Sequence, residues 1–220
     1  MSQKPDVPKF ETGPVTVQDA QFLADIHLRA FPGFFLSALG ERFLKTLYDS
    51  YCDDPTAITV VARRQDGTPV GAAVGTTQPS GFFSSLIKRR GVVFAAAAAP
   101  AVIRDPRKVP RLLRALTYRG DAPATGPGWA LLSSVCVEPS IQGAGLGSSL
   151  IKLWLDEAAV RGSRTAYLTT DAVANDFVNS FYARLGWTLD SCFATHEGRL
   201  MNRYVRPTDV SGAALDASGR

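Results

Sequence analysis

Two short stretches hold residues whose types and spacing can do chemistry. The first is Gln142-Gly143-Ala144-Gly145-Leu146-Gly147. It follows an apolar run over 129–137 (Leu131, Leu132, Val135, Val137) that ends at Glu138-Pro139 and reads as a buried strand. It precedes Leu146, Leu150, Trp154 and Ala158, with Ile151, Leu155 and Ala159 beside them, which form one face of a helix that stops at Arg161-Gly162. Strand, glycine-rich turn and helix together are an architecture for holding phosphate, or only a connection: the first-turn N–H groups have no intrahelical partners, and the helix dipole adds partial positive charge. A dinucleotide fingerprint beginning at Gly143 or Gly145 would need glycine where Ser148 or Leu150 stands, and a P-loop would need a lysine that the turn lacks.

The second stretch is a short helix predicted over 174–185, in which Asn175, Val178, Phe181 and Tyr182 stand ahead of Gly186-Trp187. On spacing alone Tyr182 reads more simply as a core aromatic. The two stretches in this order resemble motifs A and B of the GNAT acyltransferase superfamily. The resemblance implies acetyl-CoA as co-substrate, bound by Val135, Cys136, Val137, the turn Gln142, Gly143, Ala144, Gly145, Leu146 and Gly147, and Asn175 and Tyr182. It further implies that Val135 and Val137 pair with pantetheine as an added strand would. The Val135 N–H is then the oxyanion donor, Asn175 contacts the pantetheine or phosphate, and Tyr182 protonates the departing thiolate. The strand over 129–137 offers Ser133 and Ser134 where a Glu or His would serve as base, so water held by Ser133 is the expected route for the amine proton.

The remaining elements must position these groups. Thr16 with Asp19 reads as a helix cap, and Val17, Ala20, Leu23, Ile26, His27 and Ala30 give the following helix its apolar stripe. His27 on that stripe is a packed histidine or a catalytic one, the first being the simpler reading. Phe31-Pro32-Gly33 interrupts the pattern, and Phe35, Leu39, Phe43, Leu47 and Tyr51 mark a second helix. In GNAT enzymes that connection borders the acceptor site, which makes Phe31, Phe34 and Phe35 candidate acceptor contacts as well as candidate core residues. Glu41 and Lys45, one turn apart, read as a surface pair, with Glu41 as general base the minor alternative. Asp66-Gly67 between β-branched runs at 56–64 and 70–77 predicts a hairpin. Further strands are expected at 164–171, 187–195 and 200–206, the last two joined through His196-Glu197-Gly198. The expected fold is α/β (α+β): a mixed, mostly antiparallel sheet flanked by helices, with a helical insertion between strands 3 and 4.

That insertion, 79–128, holds nine Lys or Arg (Lys88, Arg89, Arg90, Arg104, Arg107, Lys108, Arg111, Arg114, Arg119) against Asp105 and Asp121, a balance of +7 in a chain of net +4. Two or three short amphipathic helices are expected there. They read as a structural insertion or dimer contact, a lid over an anionic acceptor, or a surface resting on anionic lipid. No recognition motif for DNA or RNA is present. A softer likeness of residues 30 to about 120 to GNAT proteins of bacterial surface-polysaccharide clusters tilts the acceptor toward an amino sugar or its nucleotide- or lipid-linked form.

The domain plan is a flexible stretch over 1–13, one acetyltransferase domain over 14–206 and a disordered tail over 207–220. Three cysteines without metal-like or redox-like spacing fit a reducing cytoplasm. No metal site is expected. The function these features imply is transfer of an acetyl group to a small-molecule amine by direct attack. A peptide or protein amine, O-acetylation and a non-catalytic acetyl-CoA-binding module stand as alternatives.

Overall fold

The computed structural model describes residues 10–106, 127–195 and 198–208. Seven strands form one sheet in the order β1-β2-β3-β4-β5-β7-β6. They are β1 (Glu11–Gly13), β2 (Ala57–Arg63), β3 (Pro69–Thr76), β4 (Trp129–Val137), β5 (Thr165–Asp171), β6 (Thr188–Ala194) and β7 (Leu200–Pro207). Every neighbouring pair is antiparallel except β4 and β5, which run parallel. The Asp66-Gly67 hairpin forms as expected, with Gly67 at φ 83° and Arg64 N–H donating to Thr68 O over 2.9 Å. Residues 11–13, expected at the end of a flexible stretch, instead pair with β2. At the other end Thr208 is buried, its hydroxyl donating to Ser163 O over 2.5 Å.

Helices cover both faces. On one lie α1 (Ala20–Ala30), α2 (Phe35–Ala38), α3 (Glu41–Cys52) and α4 (Phe82–Arg104), and their core is built on Leu23, Phe43, Phe94 and Val74. On the other lies α5 (Leu146–Val160), whose Leu150, Ile151, Trp154 and Ala158 meet Ile58, Ala73 and Ala130. A short helix, α6 (Asp176–Arg184), lies beside that second core.

Three local expectations change. Thr16 does not cap α1: Asp19 accepts from the Thr16 amide and hydroxyl and from Arg63, so the helix starts only at Ala20. The apolar repeat from Phe35 to Tyr51 is not one helix, because Gly40 at φ 93° separates α2 from α3. Lys45 pairs with Asp49 at 2.7 Å rather than with Glu41, which accepts from Gln21.

The described part of the insertion is α4, whose backbone is non-helical at Arg90. Phe94 packs on Phe43 with ring centroids 5.3 Å apart, while Arg89 and Arg90 pair with Asp54 and Asp53. Arg107, Lys108, Arg111, Arg114, Arg119 and Asp121 lie outside the described residues, as do His196 and Glu197.

Candidate active site

The site is set by what β4 does with its two neighbours. It pairs with β5 only through Trp129↔Thr165, Ala130↔Ala166 and Leu131↔Tyr167, and beyond these the strands separate into a wedge. Its pairing with β3 shifts register between Val74, opposite Ser134, and Gly75, opposite Leu132, which leaves Ser133 as the extra residue of a β-bulge. Past the bulge, Glu138 N–H bonds Val70 O over 2.8 Å. Antiparallel strands alternate, so Cys136 and Ser134 also spend their backbone groups on β3, while those of Val135 and Val137 point into the wedge. The two valines therefore present an edge that no neighbouring strand pairs. Cys136 does not: its thiol is buried on the α3 side, 3.3 Å from Tyr48 Oη, so it is removed from the cofactor-facing set.

At the open end of β4 the chain turns through Pro139–Ile141 into the glycine stretch. Gly143 and Gly145 sit at φ 87° and 81°, a conformation that a β-carbon disfavours. Ser149 N–H closes the first intrahelical bond, to Gly145 O at 3.1 Å, so the amides of Leu146, Gly147 and Ser148 at the start of α5 have no partner inside the helix. Ala144 is exposed between the two glycines. Gln142 acts within the protein: its Nε2 donates to Val137 O over 3.2 Å and ties the turn to the end of β4. The cradle and strand edge have the donor set that an elongated, phosphate-bearing ligand needs. Backbone donors meet its anionic end, and peptide edges meet its amide groups.

α6 closes the wedge. Asn175 stands at its N-cap position and spends Nδ2 on Thr170 Oγ1 (2.8 Å) and Asp171 O (3.1 Å). Tyr182 lies among Phe181, Trp187 and Tyr204, with ring centroids 5.4, 6.0 and 6.1 Å away. Burial pushes its hydroxyl up to about 12, and no described group hydrogen-bonds it. It is a protonated, unengaged donor.

On the opposite face, Ser133 Oγ is buried and lies beside the Tyr51 hydroxyl, itself raised to about 12 mainly by burial. His27 is a packed residue. Its Nδ1 lies 3.1 Å from Tyr48 Oη, its ring packs edge-on against Phe31 at 4.9 Å, and burial lowers it to about 4. Phe31 in turn lines an open depression of about 470 Å³ with Ala30, Pro32, Gly33, Phe34, Asp171 and Arg199. Phe31 and Phe34 were predicted as acceptor contacts. The side chain of Phe35, at the first position of α2, lies outside the described residues.

Asp171 and Arg199 were not anticipated. Arg199 grips Asp171 through Nε (3.0 Å to Oδ1) and Nη2 (2.6 Å to each oxygen). Nothing in their local sequence marks them, because the pair forms only when the end of β5 meets the start of β7. Counting from the Leu131↔Tyr167 pair, Asp171 stands across the wedge at the level of Val135, to within the residue added by the bulge. Asn179 was also missed. Its Nδ2 holds Asp171 O and Asn175 O, while its Oδ1 accepts from Asn202 and Tyr204.

A family model described as the acetyltransferase (GNAT) family matches residues 20–187. A sequence comparison with curated proteins gave no match. Among solved structures, SsHAT aligns with a TM-score of 0.63 at 20% identity, over 92% of this chain and 100% of its own. An aminoglycoside 6'-N-acetyltransferase complexed with coenzyme A aligns with a TM-score of 0.56 at 14% identity, over 90% and 97%. The ribosomal-protein-S18-alanine N-acetyltransferase from Escherichia coli aligns with a TM-score of 0.54 at 16% identity, over 94% and 99%. At these identities the likeness is one of fold.

Proposed function

Because the chain belongs to the GNAT acetyltransferase family, we propose that it moves the acetyl group of acetyl-CoA onto the primary amine of a small molecule, by direct attack of the neutral amine. The non-catalytic reading gives way to membership of an acetyltransferase family. Acetyl-CoA supplies an activated acyl group and a thiolate leaving group; the residues of this chain bind, orient and move protons. The Leu146, Gly147 and Ser148 amides receive phosphate at the start of α5, with Gly143 and Gly145 shaping the approach. The edges of Val135 and Val137 hold the pantetheine arm, and the Val135 N–H faces the carbonyl oxygen as negative charge develops on it. A preorganised donor of this kind is worth about 3 kcal/mol in the transition state. Asn175, with its amide nitrogen committed to β5, fixes the mouth of α6 through which the arm passes.

Tyr182 gives its proton to the departing sulfur. Its value of about 12 lies above that of a free thiol, near ~8.5. The burial that raises the phenol would raise a thiol in the same place, which narrows the gap. The amine proton leaves toward the α1 face, where Ser133 Oγ, buried beside the Tyr51 hydroxyl, can hold the accepting water.

The observation that carries this reading is the wedge: an unpaired β4 edge meeting a glycine-shaped helix start. The volume and aromatic wall of the depression support a small acceptor, an amino sugar among them, over a peptide amine, which would need an extended groove. All three cysteines are free, in keeping with action in a reducing cytoplasm. No described helix is long and apolar enough to cross a membrane. Pairing of Arg89 and Arg90 with Asp54 and Asp53 favours a structural role for the described half of the insertion over a lipid-facing one. The deciding experiment is thiol release from acetyl-CoA across amino sugars, amino acids, polyamines and peptides, with Tyr182→Phe as control. Acceptor-dependent release that falls at least tenfold in kcat with acetyl-CoA affinity held is expected. An unchanged kcat removes Tyr182 from the mechanism.

A further inference from the structure

Resting on the reading of the depression as the acceptor site, we propose that Asp171 and Arg199 form a two-ended clamp that selects amines carrying an anionic group, a carboxylate or a phosphate. Asp171 meets the ammonium of the arriving acceptor, and Arg199 meets its anion.

The support for Asp171 is out of proportion to an ordinary strand end. Its carbonyl accepts from both Asn175 Nδ2 and Asn179 Nδ2, each over 3.1 Å. Asn179 is itself fixed, as acceptor, by Asn202 Nδ2 and Tyr204 Oη, also at 3.1 Å. The turn that follows contains Ala174 at φ 54°, the one non-glycine residue with positive φ among those described. Strain held by a surrounding network is a feature of sites rather than of plain connections. The network fixes the backbone of Asp171, and Arg199 holds its carboxylate, in the wall of the depression, across the wedge from Val135.

Arg199 is half-spent. Nε and Nη2 are engaged by Asp171, whereas Nη1 bonds to no described residue, and the side chain is 40% exposed. The opposite wall is apolar, with Phe31 and Phe34 at 5.2 Å between ring centroids, so a ring or short alkyl body can lie on it. The ammonium of a monoamine with no anion of its own would compete with Arg199 for Asp171 and leave a guanidinium uncompensated. A polyamine would add a second cation beside that guanidinium. An amine with its own anion exchanges one ion pair for two and keeps the charge balanced.

The test uses matched acceptors with the full chain: glucosamine 6-phosphate against glucosamine, and phenylalanine against its methyl ester. Acetylation is followed by thiol release, and acetyl-CoA binding separately by calorimetry. The anionic member of at least one pair is expected to lead by about tenfold or more in kcat/KM, the scale of one charge-assisted hydrogen bond. The pair that shows it tells phosphate from carboxylate. Arg199→Gln is expected to erase the lead through a raised KM for the anionic member, with Arg199→Lys restoring part of it. Asp171→Asn is expected to raise KM for every amine. Equal or better use of the members without an anion, or a preference that survives Arg199→Gln, overturns the clamp and leaves acetyl transfer standing. No thiol release with any of the four acceptors also overturns the clamp, and absence of acetyl-CoA binding takes the transfer reading with it.

Discussion

Gly147 separates affinity from stability more cleanly than any other residue of the cradle. Its φ is ordinary, and a β-carbon there would meet Phe181 Cζ at 3.7 Å and Val137 Cγ2 at 3.8 Å, normal van der Waals contact. The free protein should therefore accept Gly147→Ala, with the slight gain expected of Ala in a helix. A bound phosphate would still meet the added methyl, because its approach depends on open backbone. The expected outcome is an unchanged or slightly raised melting temperature with acetyl-CoA affinity about tenfold or more weaker, read by calorimetry. Equal affinity would move the anion away from this turn. Gly145→Ala should differ in kind, since φ 81° there makes any side chain cost about 1 kcal/mol before a ligand is bound.

Among the elements, what was legible in the sequence was what repeats locally. Leu146, Leu150, Trp154 and Ala158 specify α5 because every fourth residue lands on one face, and Asp66-Gly67 specifies its hairpin because a tight turn needs positive φ. The break at Gly40 was hidden because the apolar repeat runs through it unbroken: Leu39, just past the end of α2, and Phe43, on α3, are both buried. The bulge at Ser133 and the Asp171–Arg199 pair were hidden for a different reason. Each depends on register between strands distant in sequence, which no local pattern encodes. Gly75 shows how tightly that register is held. A β-carbon on it would stand 2.1 Å from Leu131 O and 2.5 Å from the ring of Trp154, whose Nε1 donates to Ile58 O over 3.1 Å. Neither backbone nor a fully buried indole can yield cheaply. Gly75→Ala is expected to destabilise the fold by about 3 kcal/mol or to prevent it, read as a lowered urea midpoint with unchanged slope. A loss below about 1 kcal/mol would mean that β3 and β4 can slide apart at the bulge.

Across the whole molecule, acid should lower stability in two steps because its buried titratable groups are shifted by different causes. His27 is 4% exposed and is lowered by burial from 6.5 to about 4. Between those values the unfolded chain binds a proton that the folded chain refuses, so the contribution is full above pH 6.5 and lost as pH falls to about 4. The shift corresponds to about 3 kcal/mol. Asp19 and Asp54 are also depressed: burial raises each, but hydrogen bonds outweigh it, from Arg63 and Thr16 to Asp19 and from Thr56 and Arg89 to Asp54. Their contribution persists above the usual carboxylate range and disappears only as pH falls below it. Stability by urea denaturation should therefore decline first between pH 6.5 and 4 and then more steeply below. His27→Gln, which keeps a polar partner for Tyr48, should flatten the first decline and leave the second. A first decline that persists in His27→Gln would assign it to some other group.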